Sequence, residues 1–231
     1  MTPSSTLALS VALCSLVACA GAPAPPPPPP SPSTPVYGPA GQPDPSAGQL
    51  SRFAGLTVMV LPAQAVSAVD SLGWRSAGGG DKALLAALDS VLADSLSGRG
   101  LGTQWAFPPA LRRAASRNPT YVTDPSAMRA LDAVRVALRK RDEPLAEPFA
   151  SQLRALAGVS DARYALIPLD LRFVPNGPGS SGRAALRLAV VDARGAQLVW
   201  VGEVAGDPSS TFGSEVLASL ARRVSDLVVS R

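Results

Sequence analysis

Apolar positions along the chain fall into runs whose lengths and spacings predict the elements in turn. Residues 56–61 (LTVMVL) form a short apolar run stopped by Pro62, the pattern of a strand buried on both faces. From 81 to about 96, Leu84, Leu88, Val91, Leu92 and Leu96 recur at helical spacing, with Asp81 expected as N-cap and Gly98 as the C-terminal stop. A short strand is expected over 103–107, ahead of Pro108 and Pro109. Asp124 followed by Pro125 reads as an N-cap and a first helical proline. The helix they open sets Met128, Leu131, Val134 and Leu138 on one side, and its last turn carries Arg139, Lys140 and Arg141, where cations are favoured. Another short helix is expected over 148–157, closed by Gly158.

The second half reads mainly as β-structure. Over 164–174, Ile167, Leu169, Leu171 and Phe173 alternate with Pro168, Asp170 and Arg172, and Pro168 points to an edge, a bulge or an early strand position. Residues 176–182 (NGPGSSG) read as a loop. Two β-rich runs over 183–204 flank Asp192, Ala193, Arg194 and Gly195, with Asp first and Gly fourth as a type I turn prefers. A final amphipathic helix over 214–229 presents Val216, Leu217, Leu220, Val224 and Leu227. The series β-α-β-α-α-β-β-β-α predicts an α/β (α+β) fold, a mixed β-sheet packed by amphipathic helices, as one globular domain over 51–231.

The N-terminus is of another kind. Residues 7–18 (LALSVALCSLVA) are apolar and uncharged, but as a helix they would cover only roughly 18 Å. A bilayer core needs about 30 Å, so the run reads as the apolar region of a signal peptide over 1–18. It ends in Leu16, Val17, Ala18 and Cys19, which resembles the lipobox of bacterial lipoproteins. That resemblance implies cleavage before Cys19 and lipid, palmitate included, on that cysteine. Cys14 fits less well, because Leu13 precedes it where a small residue is needed, and the first six residues lack Lys and Arg. Secretory cleavage after Ala18 or Ala20 is the alternative. Residues 19–50 are then expected to be a lipidated cysteine and a disordered, Pro-rich tether, with an unbroken proline run from Pro25 to Pro30. Ala20 after the cysteine, rather than Asp, implies the outer membrane, with the domain on the periplasmic face.

A wider resemblance rests on the order of four stretches: "VLP" at 60–62, "LLAALDSVLADSL" at 84–96, "LRALAGVSDARYALIPLDLRF" at 153–173 and "LRLAVVDARGAQLVWVGEV" at 186–204. This order resembles the periplasmic α/β domain of curli-secretion-type lipoproteins, of the amino-terminal domain of the Tol system's β-propeller protein, and of lipoprotein activators of penicillin-binding proteins. Residues 160–164 match loosely the "GADY"-like step of that group. Residues 190–200 match loosely its "VVDxxTGxxVW" hairpin. The resemblance spans most of 53–229 and consists of packing and turn features, so it implies fold more than function. Residues 108–147 lack the alternation that membrane-barrel hairpins need. Lipobox, long spacer and compact domain together are closer to the activators, which implies an envelope protein as partner.

Composition narrows the chemistry. The chain has no histidine, which removes Ser-His-Asp and Cys-His sites and histidine-based metal centres; no metal and no cofactor are expected. Once the signal is cut, Cys19 is the last cysteine, so no disulfide framework is available. GxSxG does not occur, and positions 79 and 137, three before the two lysines, are Gly79 and Ala137, so SxxK is absent too. Asp161, Asp170, Asp192 and Glu203 are the carboxylates a cell-wall glycan hydrolase would have to use, yet turn and strand-edge roles account for each. No enzyme is expected. Gly78, Gly79 and Gly80 before Asp81 and Lys82 lack the phosphate-loop spacing and read as a flexible loop. The net charge of +4, built from 19 Arg and 2 Lys, fits a GC-rich genome rather than a nucleic-acid binder. Between 112 and 141, eight basic side chains face only Asp124 and Asp132. Trp105, just before that cluster, and Tyr121, inside it, are read as exposed aromatics. Trp105, Arg112, Arg113, Arg117 and Tyr121 are therefore the candidate partner-binding residues, against the plainer reading of a solvated basic surface. Three functions remain: a membrane-held, protein-binding adaptor or activator, an oligomeric component of a secretion or transport complex, and the carboxylate hydrolase.

Lipidation gives the first test. Cys19→Ala should abolish fatty-acid labelling and leave uncleaved precursor or soluble protein. Labelling and membrane fractionation like the parent's would refute it.

Overall fold

A computed structural model describes residues 48–139, 143–177 and 181–229. The expected signal peptide, Cys19, most of the tether, Lys140 and Arg141 lie outside the described residues. β1 (Val58–Val60) lies between two parallel neighbours, β2 (Trp105–Ala106) and β3 (Tyr164–Pro175). β4 (Gly182–Asp192) and β5 (Gln197–Ala205) extend the sheet antiparallel, giving the order β2-β1-β3-β4-β5. The sheet is mixed because the first two connections are helical crossovers, whereas β3, β4 and β5 follow one another by hairpins. α1 (Trp74–Ala77) and α2 (Asp81–Gly98) connect β1 to β2. α3 (Pro108–Arg117), α4 (Ala130–Arg139) and α5 (Phe149–Ser160) connect β2 to β3, and α6 (Ser214–Val228) follows β5.

Alternation along β1 divides the core. Val58 and Val60 point to one side with Leu84, Leu88, Leu92 and Leu96 of α2 and Leu217, Leu220, Val224 and Leu227 of α6. Met59 and Leu61 point to the other, with Leu111 of α3, Val134 of α4 and Leu153 and Leu156 of α5. Both faces of the parallel part are thus covered, which is why its strands read as unbroken apolar runs. Chain entry belongs to the first side. Gly48 and Leu50 donate their backbone N–H groups to the carbonyls of Asp226 and Leu227 in the last turns of α6, 2.8 Å each.

Pro168 marks a bulge, one of the three positions its lack of an N–H allows. The β3–β4 register shifts between Pro168 and Asp170, and the apolar set changes sides: Leu169 packs with α3–α5, Leu171 with α2 and α6. Beyond the bulge the side opposite Leu171 is polar. Asp170, Arg187 and Glu203 stand abreast on three strands, with Arg172 paired to both acids.

Several boundaries differ from the pattern-based ones. Gly80 is the N-cap of α2 and Asp81 its first residue, because the Asp81 carboxylate is bound to Arg75 instead of capping the helix. α5 runs past Gly158 and stops at Asp161, which takes the left-handed conformation. In the β4–β5 turn the left-handed residue is Ala196, φ 51°, not Gly195; Asp192 fixes the turn by accepting the N–H groups of Arg194 and Gly195. The proline pair at 108–109 does not end an element but opens α3 over residues read as loop, since proline is suited to a first helical turn. Asp124 is an N-cap as expected, accepting the Ser126 N–H, but it opens a single 3-10 turn (Pro125–Ala127) before α4 begins at Ala130.

Leu88, fully buried on α2, measures the stability of the first core. Leu88→Ala should cost about 2–5 kcal/mol in urea unfolding. A loss below about 1 kcal/mol would show that α2 is not packed as described.

Candidate functional site

α3 and α4 lie on the same side of the sheet and expose arginine. Phe107, in extended conformation, and the two prolines start α3; Leu111 and Ala115 anchor it to the core, and the Asn118 side chain caps its end by donating to the Ala114 carbonyl. That phase turns Arg112, Arg113 and Arg117 outward. Past the helix, Val122 is buried and Tyr121 is 82% exposed, so the buried valine fixes the turn that displays the ring. On α4, Ala130, Ala133, Val134 and Ala137 are buried while Arg135 and Arg139 are exposed. Arg129 pairs with Asp132 at 3.0 Å. Arg113, Arg117, Arg135 and Arg139 meet no carboxylate among the described residues. Val136 and Leu138 add exposed apolar surface to the same helix.

Four of the five expected contact residues, Arg112, Arg113, Arg117 and Tyr121, are thus displayed together. Trp105 is the exception. A contact role needs it exposed, but it is the first residue of β2, within the strand expected over 103–107, is 4% exposed, and packs its side chain in the α2 side of the core. Its register partner Val58 points the same way, so Trp105 is a core residue and no part of this surface. Leu138, which periodicity sets on the core side with Val134, is exposed instead, and Val136, off that side by helical spacing, is exposed beside it.

A polar stitch positions the surface at the C-terminal end of β1. The Asp89 carboxylate, on α2, accepts the Ala63 N–H at 2.8 Å. Gln64 donates from Nε2 to the Pro62 carbonyl at 2.8 Å and accepts the Ala130 N–H on Oε1 at 3.1 Å, holding the start of α4. Desolvation pushes the half-buried Asp89 carboxyl above its ordinary range, partly offset by the Ala63 hydrogen bond and the field of Arg112. Asp89 on α2 and Arg112 on α3 belong to helices that cover opposite faces of the sheet.

The remaining candidates have structural tasks. Asp81 is ion-paired with Arg75, which holds its carboxyl below the usual range and leaves the glycine loop before α2 with a negative side chain at the helix start. Asp170 and Glu203 share Arg172. Burial alone would raise the Asp192 carboxyl, but the hydrogen bonds from Gly195, Arg163 and Arg194 outweigh it and hold it low. Asp161 ends α5 and, with Arg154 and Arg194, rims an open groove of about 370 Å³ floored by Ala157, Gly158 and Ala162.

No protein-family model matches the chain, and no curated protein matches it. Among solved structures it is similar to the PelC dodecamer from Paraburkholderia phytofirmans, with 16% identity over 77% of this chain and 91% of that one, TM-score 0.38. Lipoprotein GNA1162 from Neisseria meningitidis is similar at 17% identity over 73% and 94%, TM-score 0.37. The LpoB C-terminal domain from Escherichia coli is similar at 13% over 70% and 96%, TM-score 0.32. Likeness of that degree carries no function; the residues of the surface have to supply it.

The stitch has a pH signature. Because the folded Asp89 carboxyl is raised from its ordinary 3.8, the folded chain holds a proton that the unfolded chain has released in the window just above that value. This contribution is fully present below the ordinary pKa and lost as pH rises through the folded one. Asp89→Asn keeps an acceptor for the Ala63 N–H and should flatten that part of the stability–pH curve without loss at neutral pH. Asp89→Ala should destabilise at every pH by orphaning the N–H. Urea unfolding from acid to neutral pH checks both; an unchanged slope in Asp89→Asn would refute the assignment.

Proposed function

We propose that the chain is a non-catalytic lipoprotein of the cell envelope, held through Cys19 at the periplasmic face of the outer membrane, that binds and activates or assembles another envelope protein. One observation carries this reading. The arginine-rich surface of α3 and α4, with Tyr121 at its margin, is on the side of the sheet opposite the side where the chain enters at Gly48 and Leu50. A domain held from the entry side leaves that surface free to meet a partner at the reach of its tether. The 28 residues 20–47, at about 3.1 Å each if extended, would span roughly 90 Å.

Partner chemistry follows from the surface. Unopposed guanidinium groups steer an acidic patch and set on-rate and orientation, while an exposed tyrosine beside them can bury a ring in the complex and slow dissociation. Lys would supply the same charge, but Arg also stacks and forks onto carboxylates.

Arg112→Glu, Arg113→Glu and Arg117→Glu together should weaken capture of the partner in a salt-sensitive manner with the fold intact. Tyr121→Ala should cost about 2 kcal/mol or more of binding. Photocrosslinking in intact cells from positions 113 and 121 reads the partner directly. Crosslinks that instead map to the α2 and α6 side, with these variants behaving like the parent, would overturn the reading.

A further inference from the structure

The connection from β3 to β4 carries reactive chemistry that the arginine surface does not use. Pro175 ends β3, Gly182 begins β4, and Asn176 and Gly177 follow the proline. Gly177 is exposed and takes φ 79°, a left-handed conformation that costs glycine nothing in sterics. No Cβ crowds its nitrogen, and its N–H meets no acceptor among the described residues. Asn176 is half-buried and held at three atoms. Its backbone N–H donates to the Ser181 carbonyl at 2.9 Å, and its own carbonyl accepts the Ser181 hydroxyl at 3.1 Å. Its side-chain Oδ1 accepts Nη2 of Arg183, while Nδ2 has no partner among the described residues. The chain's one other asparagine, Asn118, is followed by Pro119.

We propose that Asn176 is a self-modification site, converted to aspartate and isoaspartate by the backbone of Gly177 with Ser181 and Arg183 assisting. The Gly177 nitrogen gives up its proton and attacks Cγ of Asn176. A bond forms from that nitrogen to Cγ, the bond from Cγ to Nδ2 breaks, and ammonia leaves. Water then opens the resulting cyclic imide at the side-chain carbonyl to give aspartate, or at the backbone carbonyl to give isoaspartate. The sum is a carboxamide and water going to a carboxylate and ammonium, with no oxidant and no cofactor. Each assisting group works on a different atom. The Ser181 hydroxyl draws electron density through the Asn176 carbonyl and makes the Gly177 N–H easier to deprotonate. Arg183 polarises the side-chain carbonyl and stabilises the oxyanion on Oδ1 as the tetrahedral centre forms. In the aspartate product the same guanidinium faces a carboxylate, so an ion pair replaces a hydrogen bond to a neutral amide. Nothing holds back Nδ2, the atom that leaves. Asn118 cannot follow this course, because the proline nitrogen after it has no proton to lose.

The test incubates the purified full-length chain in mildly alkaline buffer made with heavy-oxygen water, then digests it in ordinary water and maps the peptides by mass. Heavy oxygen should enter in place of the amide nitrogen of Asn176, and an isoaspartyl methyltransferase should label the same peptide. Ser181→Ala and Arg183→Met should each slow the conversion several-fold. Ser181→Thr and Arg183→Lys keep the donors and should react as the parent does, which separates loss of the donor from disturbance of the fold. An Asn176 that stays intact, or heavy oxygen entering at Asn118 or a glutamine instead, overturns the proposal. So does a rate in Ser181→Ala or Arg183→Met that equals or exceeds the parent's, or a slow Ser181→Thr or Arg183→Lys.

Discussion

Burial of β1 and the first half of β3 on both faces is the constraint on which the rest of the structure depends. A strand buried on both sides has no solvent-facing row, so helices must lie above and below it. Crossovers α1–α2 and α3–α5 supply the two layers, and α6 completes the first. The constraint lapses at Pro168. Beyond its bulge one face of the sheet is a charged lattice of Asp170, Arg172, Arg187 and Glu203, and the strands there no longer need a second layer.

The same division organises the surface. Helices that cover the Met59 side are short, and α3 and α4 bury small residues such as Ala115, Ala130, Ala133 and Ala137 while turning their long side chains outward. Those long side chains are mostly arginine. On the Val58 side, α2 and α6 meet through large aliphatic residues, and Ser95 and Ser225 share a hydrogen bond between the two helices at 2.7 Å. One layer is chiefly packing and the other chiefly display.

Legibility in the sequence tracks how local the signal is. β3, β4, β5, α2 and α6 can be read because each is a long periodic run with few competing explanations. The meaning of Pro168 is legible as well, since a missing N–H leaves few places in a sheet. α3 is not legible, because a proline pair breaks a helix or begins one according to what precedes it, and the extended Phe107 that decides the matter is a tertiary fact. Trp105 misleads for a related reason: two residues of strand are too few to show a period, and its burial comes from Val58 and α2, remote in sequence. Arg112, Arg113, Arg117 and Tyr121 are legible as a cluster. The stitch through Asp89 and Gln64 is not, since its partners lie on separate elements.

The entry of the chain has a mechanical consequence. Gly48 and Leu50 are tied by backbone hydrogen bonds to the last turns of α6, and Leu50 and Phe53 are buried in the same core. Tension on the preceding residues is delivered first to that corner, where it must strip two hydrogen bonds and extract two large side chains before any strand is loaded. The sheet and the arginine layer behind it sit downstream of this corner, so a pull on the residues before Gly48 would be taken up there before it reached the surface of α3 and α4.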